Sequence, residues 1–317
     1  MSTSHLDPVA STAPPAVRVR DLRVHVPSRR KVYAAPVEVL RGLTFTAPAG
    51  QVTALVGANG AGKTTALRAI TTALPFAEGS IEVLGTALGP ADVPLPSRAA
   101  HVPDDPAHPD HWTAHDVARL LRRLDPGFDV RTFAALLTAQ GLPHDRRHSE
   151  LSRGQVTQLS VAAAIAQDPQ LLILDEPFAR LDPLARTDLV DRLRTVMARE
   201  ERAMVLATHD LEGMERFVDH LVVIAGGQDV LEGDVESLRE EFLVLEAAGV
   251  GDGLRGPGSP LIGPSTVGGR LRALVGTEDV LGLPPGTDLR RPTVSELVTH
   301  WLRAAGPLEP SPRRTTA

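Results

Sequence analysis

Cysteine is absent from the 317-residue chain, so disulfides and thiolate metal sites are excluded. Aromatic residues make up only 3% of it, which indicates a core of Ala, Leu and Val. No run of about 18 apolar residues is present, and the N-terminus has no charged segment followed by an apolar one. We therefore expect a soluble chain that is not exported and that needs a separate partner for any role at a membrane.

The chain also lacks an excess of positive charge. Its formal net charge is −6, and no block of Lys and Arg dominates. Because proteins that bind mainly nucleic acid carry basic faces, we expect no nucleic-acid partner. Apolar residues make up 42% of the sequence, and the length is sufficient for one or two domains with a full-sized core.

A glycine-rich loop follows an apolar run at 52–56, which is typical of a buried parallel strand, and precedes a segment that suits a helix. Such a loop lets backbone N–H groups and a helix N-terminus bind phosphate, with Lys63 on the outer phosphates and the Thr64 hydroxyl on Mg²⁺. The alternative is a glycine-rich turn with a chance lysine, but the strand–loop–helix order favours phosphate binding. The loop matches G-x-x-x-x-G-K-[ST] and consists of Gly57, Ala58, Asn59, Gly60, Ala61, Gly62, Lys63, Thr64 and Thr65.

A second apolar run, at 171–174, ends in two acids, Asp175 and Glu176. At the carboxyl end of a strand near Lys63, Asp175 could hold Mg²⁺, and Glu176 could orient or deprotonate a water aimed at the γ-phosphate. A strand ending in two acids is by itself an ordinary surface turn. Together with the glycine-rich loop, it predicts nucleotide hydrolysis.

Together these motifs resemble those of ATP-binding cassette (ABC) ATPases, the nucleotide-binding subunits of transporters. Leu181-Asp182 is similar to the family's D-loop, and His209 after Thr208 is similar to its switch histidine. The resemblance covers about residues 17–235. The identifying stretch resembles the family's LSGGQ signature and consists of Leu151, Ser152, Arg153, Gly154 and Gln155.

The resemblance implies an α/β fold, a P-loop NTPase core with a parallel sheet, an antiparallel β edge and a helical signature insertion at about 104–168. We expect this ATPase domain to span 17–236 and to carry a small C-terminal α/β appendage at 237–305. The ends, 1–16 and 306–317, are expected to be disordered tails.

In this family two cassettes are held head to tail around two ATP, so the resemblance implies a second copy of this chain or a homologous cassette as partner. The donors of Ser152 and Gly154 and the D-loop residue Asp182 would then complete the site that Lys63 begins in the other chain. A separate transmembrane permease is the other implied partner, which would place the chain in the cytoplasm at the inner face of the membrane.

Two further residues take their roles from the resemblance. His209 would contact the γ-phosphate and Glu176, whereas a lone histidine after a strand is usually structural. Tyr33 lies about where the family has an aromatic residue that stacks on adenine, and the alternative is an exposed loop tyrosine. Trp112 lies where the family meets its membrane partner, and we predict that it anchors that contact.

Two positions depart from the family pattern. Asp104 or Asp105 stands where the family has the glutamine of its Q-loop, and a carboxylate there could ligate Mg²⁺ but could not donate a hydrogen bond. Arg153 replaces the middle glycine of the signature, where it could tighten the ATP-bound dimer or face solvent.

The predicted function is an ATP-hydrolysing subunit of a transporter, with an exporter favoured over an importer by the single cassette and its short appendage. Two alternatives stay open. One is a soluble machine acting on nucleic acid or ribosomes, and the other is an ATP-sensing subunit with little turnover.

Overall fold

The computed structural model describes residues 4–5, 14–27, 36–89, 95–199, 201–211, 213–248, 259–283 and 287–306. The helices in these ranges are α1 (Lys63–Ile70), α2 (Ala114–Leu124), α3 (Val130–Ala139), α4 (Arg153–Ile165), α5 (Pro183–Met197), α6 (Val235–Glu241) and α7 (Val294–Ala304). The strands are β1 (Ser4–His5), β2 (Val17–Val26), β3 (Val37–Ala47), β4 (Val52–Val56), β5 (Glu78–Val83), β6 (Thr86–Leu88), β7 (Ala99–Val102), β8 (Leu171–Asp175), β9 (Ala203–Thr208), β10 (His220–Ala225), β11 (Gln228–Asp234), β12 (Phe242–Ala248), β13 (Ile262–Val267), β14 (Arg270–Gly276) and β15 (Asp288–Arg290).

The central sheet has seven strands in the order β1-β11-β10-β4-β9-β8-β7. Strands β10, β4, β9, β8 and β7 pair in parallel, whereas β11 returns antiparallel to β10 after a turn at Gly226-Gly227. Every residue of β4, β8 and β9 is buried, because helices or sheets cover both of their faces. The carboxyl ends of these strands therefore lie together at one edge of the sheet.

A second sheet is antiparallel and has the order β3-β2-β5-β6. Alternating side chains of β2 and β3 are buried, including Val17, Val19, Leu40 and Phe45. They pack with α1 and with one face of the central sheet in a single apolar cluster. This sheet forms the antiparallel β edge that the sequence predicts.

Three helices, α2 to α4, lie between β7 and β8 and pack around Phe133, Leu137 and Ala162. Short polar side chains cap the start of each helix. Thr113 and Asp116 form a capping box on α2, the Asp129 carboxylate accepts two N–H groups of α3, and Ser152 caps α4. The helix that begins at the signature is thus started by the signature serine.

The C-terminal part adds a third sheet, in the order β13-β14-β12-β15, together with α6 and α7. Leu297 and Val298 of α7 pack in the same cluster as Leu221 of the central sheet and Val244 of β12. The appendage is therefore joined to the central sheet by continuous apolar contact.

Some boundaries differ from the sequence expectations. Within the expected tail 1–16, Ser4 and His5 pair in parallel with Leu231 and Glu232 of β11. The expected boundary at 236/237 falls inside α6 (Val235–Glu241), so the appendage begins within a helix. Most of the expected C-terminal tail lies outside the described residues. Among the helices that the structure describes, none combines the length and apolar character needed to cross a membrane.

The N-cap of α7 offers a test of how the appendage is stabilised. The Thr293 hydroxyl accepts the Glu296 N–H at 3.2 Å, so Thr293→Ala should lower the free energy of unfolding by about 1 kcal/mol. Urea unfolding followed by circular dichroism measures this loss. The matched control is Thr187→Ala at an exposed position inside α5, which should stay within about 0.5 kcal/mol. Equal effects of the two substitutions would contradict the capping role.

Candidate active site

The candidate site lies at the carboxyl edge of the central sheet. Register pairs join Val56 to Thr208, Asp175 to Ala207, and Val102 to Leu174, so the loops after β4, β7, β8 and β9 are neighbours. In open parallel sheets, ligands bind in the crevice outside these strand ends. The edge therefore collects the residues that the sequence predicts to act on a nucleotide.

The glycine-rich loop leads directly into α1. Gly62 is the N-cap residue with φ +113°, and a Cβ at this position would lie 2.7 Å from Leu40 Cδ2, so only glycine fits. The Lys63 ammonium donates to the carbonyl of Gly57 at 2.8 Å, and its side chain is only 6% exposed. The loop thus curls around its own lysine, whose charge faces the inside of the site.

Asp175 and Thr64 form the second part of the site. The Thr64 hydroxyl donates to Asp175 Oδ1 at 3.2 Å, and Asp175 is itself 2% exposed. Burial is the main cause that raises the pKa of Asp175 to about 6, and the charges of Asp104 and Glu176 act in the same direction. The Thr64 hydrogen bond and the Lys63 charge oppose the shift without cancelling it.

Glu176 bridges the phosphate-loop lysine and the switch histidine. Its Oε1 lies 3.4 Å from Lys63 Nζ, and its Oε2 lies 2.8 Å from His209 Nδ1. The side chain is 13% exposed, whereas that of His209 is 46% exposed and open to solvent. The Thr208 hydroxyl lies 3.4 Å from the same Oε2, so Glu176 has partners on both oxygens.

The backbone of Glu176 is in the left-handed region, with φ +49°. Residues other than Gly, Asn and Asp rarely adopt this backbone conformation, which costs them of order 1 kcal/mol or more. The Glu176 N–H also donates to the Ala207 carbonyl at 2.9 Å, which holds the turn against β9. The strand therefore ends abruptly at the acid, and the Glu176 carboxylate is directed across the site.

Asp104 lies in the loop after β7, as the family's Q-loop does. Its carboxylate is near enough to Asp175 to act on that residue's pKa, and Oδ1 lies 3.3 Å from the guanidinium of Arg180. The guanidinium of Arg180 is thus the positive charge next to the Asp104 carboxylate. A role for Asp104 as a ligand of Mg²⁺ stays a prediction.

The signature residues lie at the start of α4. The Ser152 hydroxyl accepts the Gln155 N–H at 3.2 Å, and the Gln155 side chain accepts the Ser152 N–H at 2.9 Å. A Cβ on Gly154 would lie 2.7 Å from the Arg180 carbonyl oxygen, so glycine is needed for this approach. Leu151 is half-buried, and Arg153 is exposed at the first position of the helix.

The D-loop residue Asp182 caps α5 by accepting the Ala185 N–H at 2.9 Å. In the described ranges, no hydrogen bond or ion pair joins the signature (151–155) or Asp182 to the glycine-rich loop (57–65). The structure therefore joins Lys63, Thr64, Asp175, Glu176 and His209 by polar contacts within one chain. Tyr33 lies outside the described residues.

The site fits ATP and Mg²⁺. Burial raises the pKa of the Asp175 carboxyl, so a cation bound there would stabilise its charged form, and the Thr64 hydroxyl beside it would offer Mg²⁺ a second oxygen. Among the described residues, the partners of the Lys63 ammonium are two carbonyls of its own loop and the Glu176 carboxylate. Phosphate oxygens would provide better partners for that charge than the carbonyls do.

Sequence reasoning missed two arginines near the site. Arg180 contacts Asp104, and Arg186 donates to Asp210 Oδ2 at 2.9 Å while its guanidinium carbon lies 5.8 Å from the centre of the Phe178 ring. Both arginines lie in or near the D-loop, and each reaches an acid on a neighbouring loop. The only available signal was the proximity of Arg180 and Arg186 to Asp182 in sequence.

The comparisons with known proteins assign the chain to a family. The family model described as ABC transporter matches residues 40–179. The Nod factor export ATP-binding protein I of Rhizobium meliloti is 37% identical over 218 residues, which are 64% of this chain and 62% of that protein. The protein of the same name in Rhizobium etli is 33% identical over 241 residues, which are 71% of this chain and 73% of that protein.

Solved structures agree with this assignment. A structure described as an ATP-binding subunit of an ABC transporter has a TM-score of 0.60 at 27% identity, and covers 71% of this chain and 92% of its own. A dimeric, post-hydrolysis cassette bound to ADP and Pi has the same fold, with a TM-score of 0.61 at 19% identity, and covers 69% of this chain and 98% of its own. The predicted fold class is thereby confirmed.

The fold and the site define an ATP-binding cassette of the P-loop type. The chain belongs to the ABC transporter family, as its motifs predict. The chain spans less than two thirds of the Rhizobium meliloti relative, which carries additional length outside the match.

The raised pKa of Asp175 predicts a pH dependence of stability. Because its pKa is higher in the folded chain, the protonated Asp175 carboxyl stabilises the fold. Its contribution to the free energy of unfolding is complete below the ordinary pKa of 3.8 and is lost as pH rises through about 6. Asp175→Asn removes the titration. Relative to the wild type, it should therefore gain on the order of 2–3 kcal/mol in free energy of unfolding between pH 4 and pH 7.5.

Urea unfolding across this pH range, without nucleotide or Mg²⁺, measures the gain. Asp188→Asn, at an exposed position on α5, is the control that should follow the wild type. Parallel curves for Asp175→Asn and the wild type would show that Asp175 is ionised in the folded chain throughout the range.

Proposed function

We propose that the chain is the ATP-hydrolysing, nucleotide-binding subunit of an ABC transporter and that it dimerises head to tail around two ATP. The observation that carries this proposal is the Glu176 carboxylate, which contacts both Lys63 and His209 beside the Asp175–Thr64 pair. A binding module without turnover would have no need of an acid held in this position.

In the proposed reaction, each residue has one task. Lys63 and the N–H groups of its loop would bind the phosphates, and Thr64 and Asp175 would hold Mg²⁺. Bound Mg²⁺ supplies charge neutralisation on the phosphates. Glu176 orients the attacking water and accepts its proton, and His209 fixes the direction of the Glu176 carboxylate through Oε2.

The separation of the signature from the phosphate loop supports the dimer. Ser152 and Gly154 begin a helix whose N-terminus would attract negative charge, yet this N-terminus makes no polar contact to residues 57–65 in the described chain. A second chain, turned head to tail, would bring its own signature and Asp182 to the phosphates held by Lys63. ATP then joins the two chains, and hydrolysis releases them.

The transport role and its direction rest on the relatives. Nod factor export ATP-binding protein I is named as an export protein, and this supports export driven through a separate transmembrane permease at the inner face of the membrane. The net charge of −6 argues against a machine that works on nucleic acid.

The role of Glu176 is tested by Glu176→Gln, which keeps the shape of the side chain and removes its basicity. We expect ATP binding to persist, hydrolysis to fall by about 10² or more, and an ATP-bound dimer to accumulate. Phosphate release and analytical ultracentrifugation measure these effects. Lys63→Ala serves as a control that loses nucleotide affinity itself. Wild-type turnover in Glu176→Gln would remove Glu176 from the mechanism, and a wild type without turnover would favour the ATP-sensing alternative.

The site of contact with the permease is tested at Trp112. Its ring stacks on His108 with centroids 6.3 Å apart and is only partly covered by the apolar cluster of α2 to α4. Trp112→Ala should reduce co-sedimentation with membranes of the source cell by about fivefold or more, while basal ATPase activity is kept. Val267→Ala, at an exposed apolar residue of β13, is the control. Unchanged co-sedimentation of Trp112→Ala would exclude this surface.

A further inference from the structure

Arg180 connects the D-loop to the loop at 103–105, which is 76 positions away at Asp104. It lies between Glu176 and the D-loop, and its guanidinium reaches the loop after β7. There it donates to the Asp104 carbonyl and lies 3.3 Å from Asp104 Oδ1 and 3.9 Å from Asp105 Oδ1. One side chain thus holds the backbone and both acids of the loop at 103–105.

The segment that carries Arg180 is short and closed by backbone hydrogen bonds. The Ala179 N–H donates to the Glu176 carbonyl at 3.2 Å, which closes a tight turn after the acid. Two residues after Arg180, Asp182 starts α5. A displacement of the Arg180 side chain by the loop at 103–105 is therefore transmitted over very few bonds to Glu176 on one side and to Asp182 on the other.

The signature helix rests on the same residue. The Arg180 carbonyl oxygen lies where a Cβ on Gly154 would be 2.7 Å away, and Leu181 Cδ2 lies 3.5 Å from that position. The peptide of Arg180 is therefore in close contact with the start of α4. Three segments, the loop at 103–105, the D-loop and the signature, meet at this one arginine.

The ion pair between Arg180 and Asp104 also balances charge at this edge of the sheet. An acid at position 104 adds a third carboxylate to an edge that already holds Asp175 and Glu176, and like charges in a partly buried site repel. The Arg180 side chain is 24% exposed, so its positive charge is only partly screened by water. Arg180 therefore offsets the acid that replaces the family's glutamine.

We propose that Arg180 is a positioning residue which ties the loop at 103–105 to the D-loop, so that the two loops move as one unit. The positive charge of Arg180 offsets the negative charge of Asp104. Displacement of the loop at 103–105 is passed through this pair to Asp182, on the side of the site that faces a second chain. This step rests on the proposed function, since Asp182 acts there across a dimer.

The tie itself is tested without nucleotide. Amide hydrogen exchange in the peptide covering 103–108 should become about tenfold faster in Arg180→Ala than in the wild type. Arg194→Ala is the matched control, because it removes an exposed arginine whose ion-pair partner, in the part of the chain that the structure describes, is Asp191 on the same helix. Exchange in Arg180→Ala that equals exchange in the control would overturn the proposal, whatever the chain does with ATP.

The consequence for assembly is tested in the Glu176→Gln background. Arg180→Ala and Asp104→Asn should each raise the ATP concentration for half-maximal dimer by about tenfold, and the double substitution should raise it no further. In Arg180→Ala, the affinity for ADP measured without Mg²⁺, which rests on the glycine-rich loop, should stay within about twofold. Additive effects, or a loss of ADP affinity as well, would overturn the coupling role.

The two measurements separate two kinds of failure. If Glu176→Gln alone does not dimerise with ATP, the proposed function fails, and the exchange experiment still decides whether Arg180 ties the loops. The other outcome is that Glu176→Gln dimerises and that adding Arg180→Ala leaves the ATP concentration for half-maximal dimer unchanged. The contact of Arg180 with the loop at 103–105 would then have no part in dimer assembly, which contradicts the inference but not the proposed function.

Discussion

The short contacts of the Glu176 carboxylate hold the candidate site together. Its two oxygens reach Lys63 at the start of α1, after β4, and His209 on the loop after β9, so the acid that follows β8 joins three neighbouring strand ends. The contacts are possible because β4, β9 and β8 are adjacent and parallel, and because the chain turns through a left-handed conformation at the acid. The geometry of the site thus depends on strand order, and strand order depends on strands that are apolar on both faces.

Much of this arrangement could be predicted from the sequence. The run at 52–56 is apolar except for Thr53, and the run at 171–174 is apolar up to the acid that ends it, which is typical of buried parallel strands; Ser152 carries the pattern of a helix cap. The turn at Gly226-Gly227 also lies where the two glycines predict it. In each case a local pattern of two to five residues is enough, because the structure that it specifies is itself local or is set by burial alone.

The rest depends on contacts between distant residues. Asp104 and Arg180 are 76 positions apart, and only the pairing of β7 with β8 brings them together. The left-handed turn at Glu176 has no glycine to indicate it. Strand β15 consists of three exposed residues, Asp288–Arg290, and pairs through its backbone with β12. Because these residues are exposed, no apolar pattern in the sequence predicts the strand. No local sequence pattern predicts the pairing of Ser4 and His5 with β11 either.

The central claim is that each nucleotide site is shared between two chains. Its most direct test mixes Lys63→Ala chains, whose phosphate loop is broken, with Ser152→Glu chains, whose signature repels phosphate. Each variant alone should be inactive, whereas an equal mixture should regain about a quarter of the wild-type ATPase rate, because half of the dimers then hold one intact site. A mixture no more active than its components would contradict a site built from two chains.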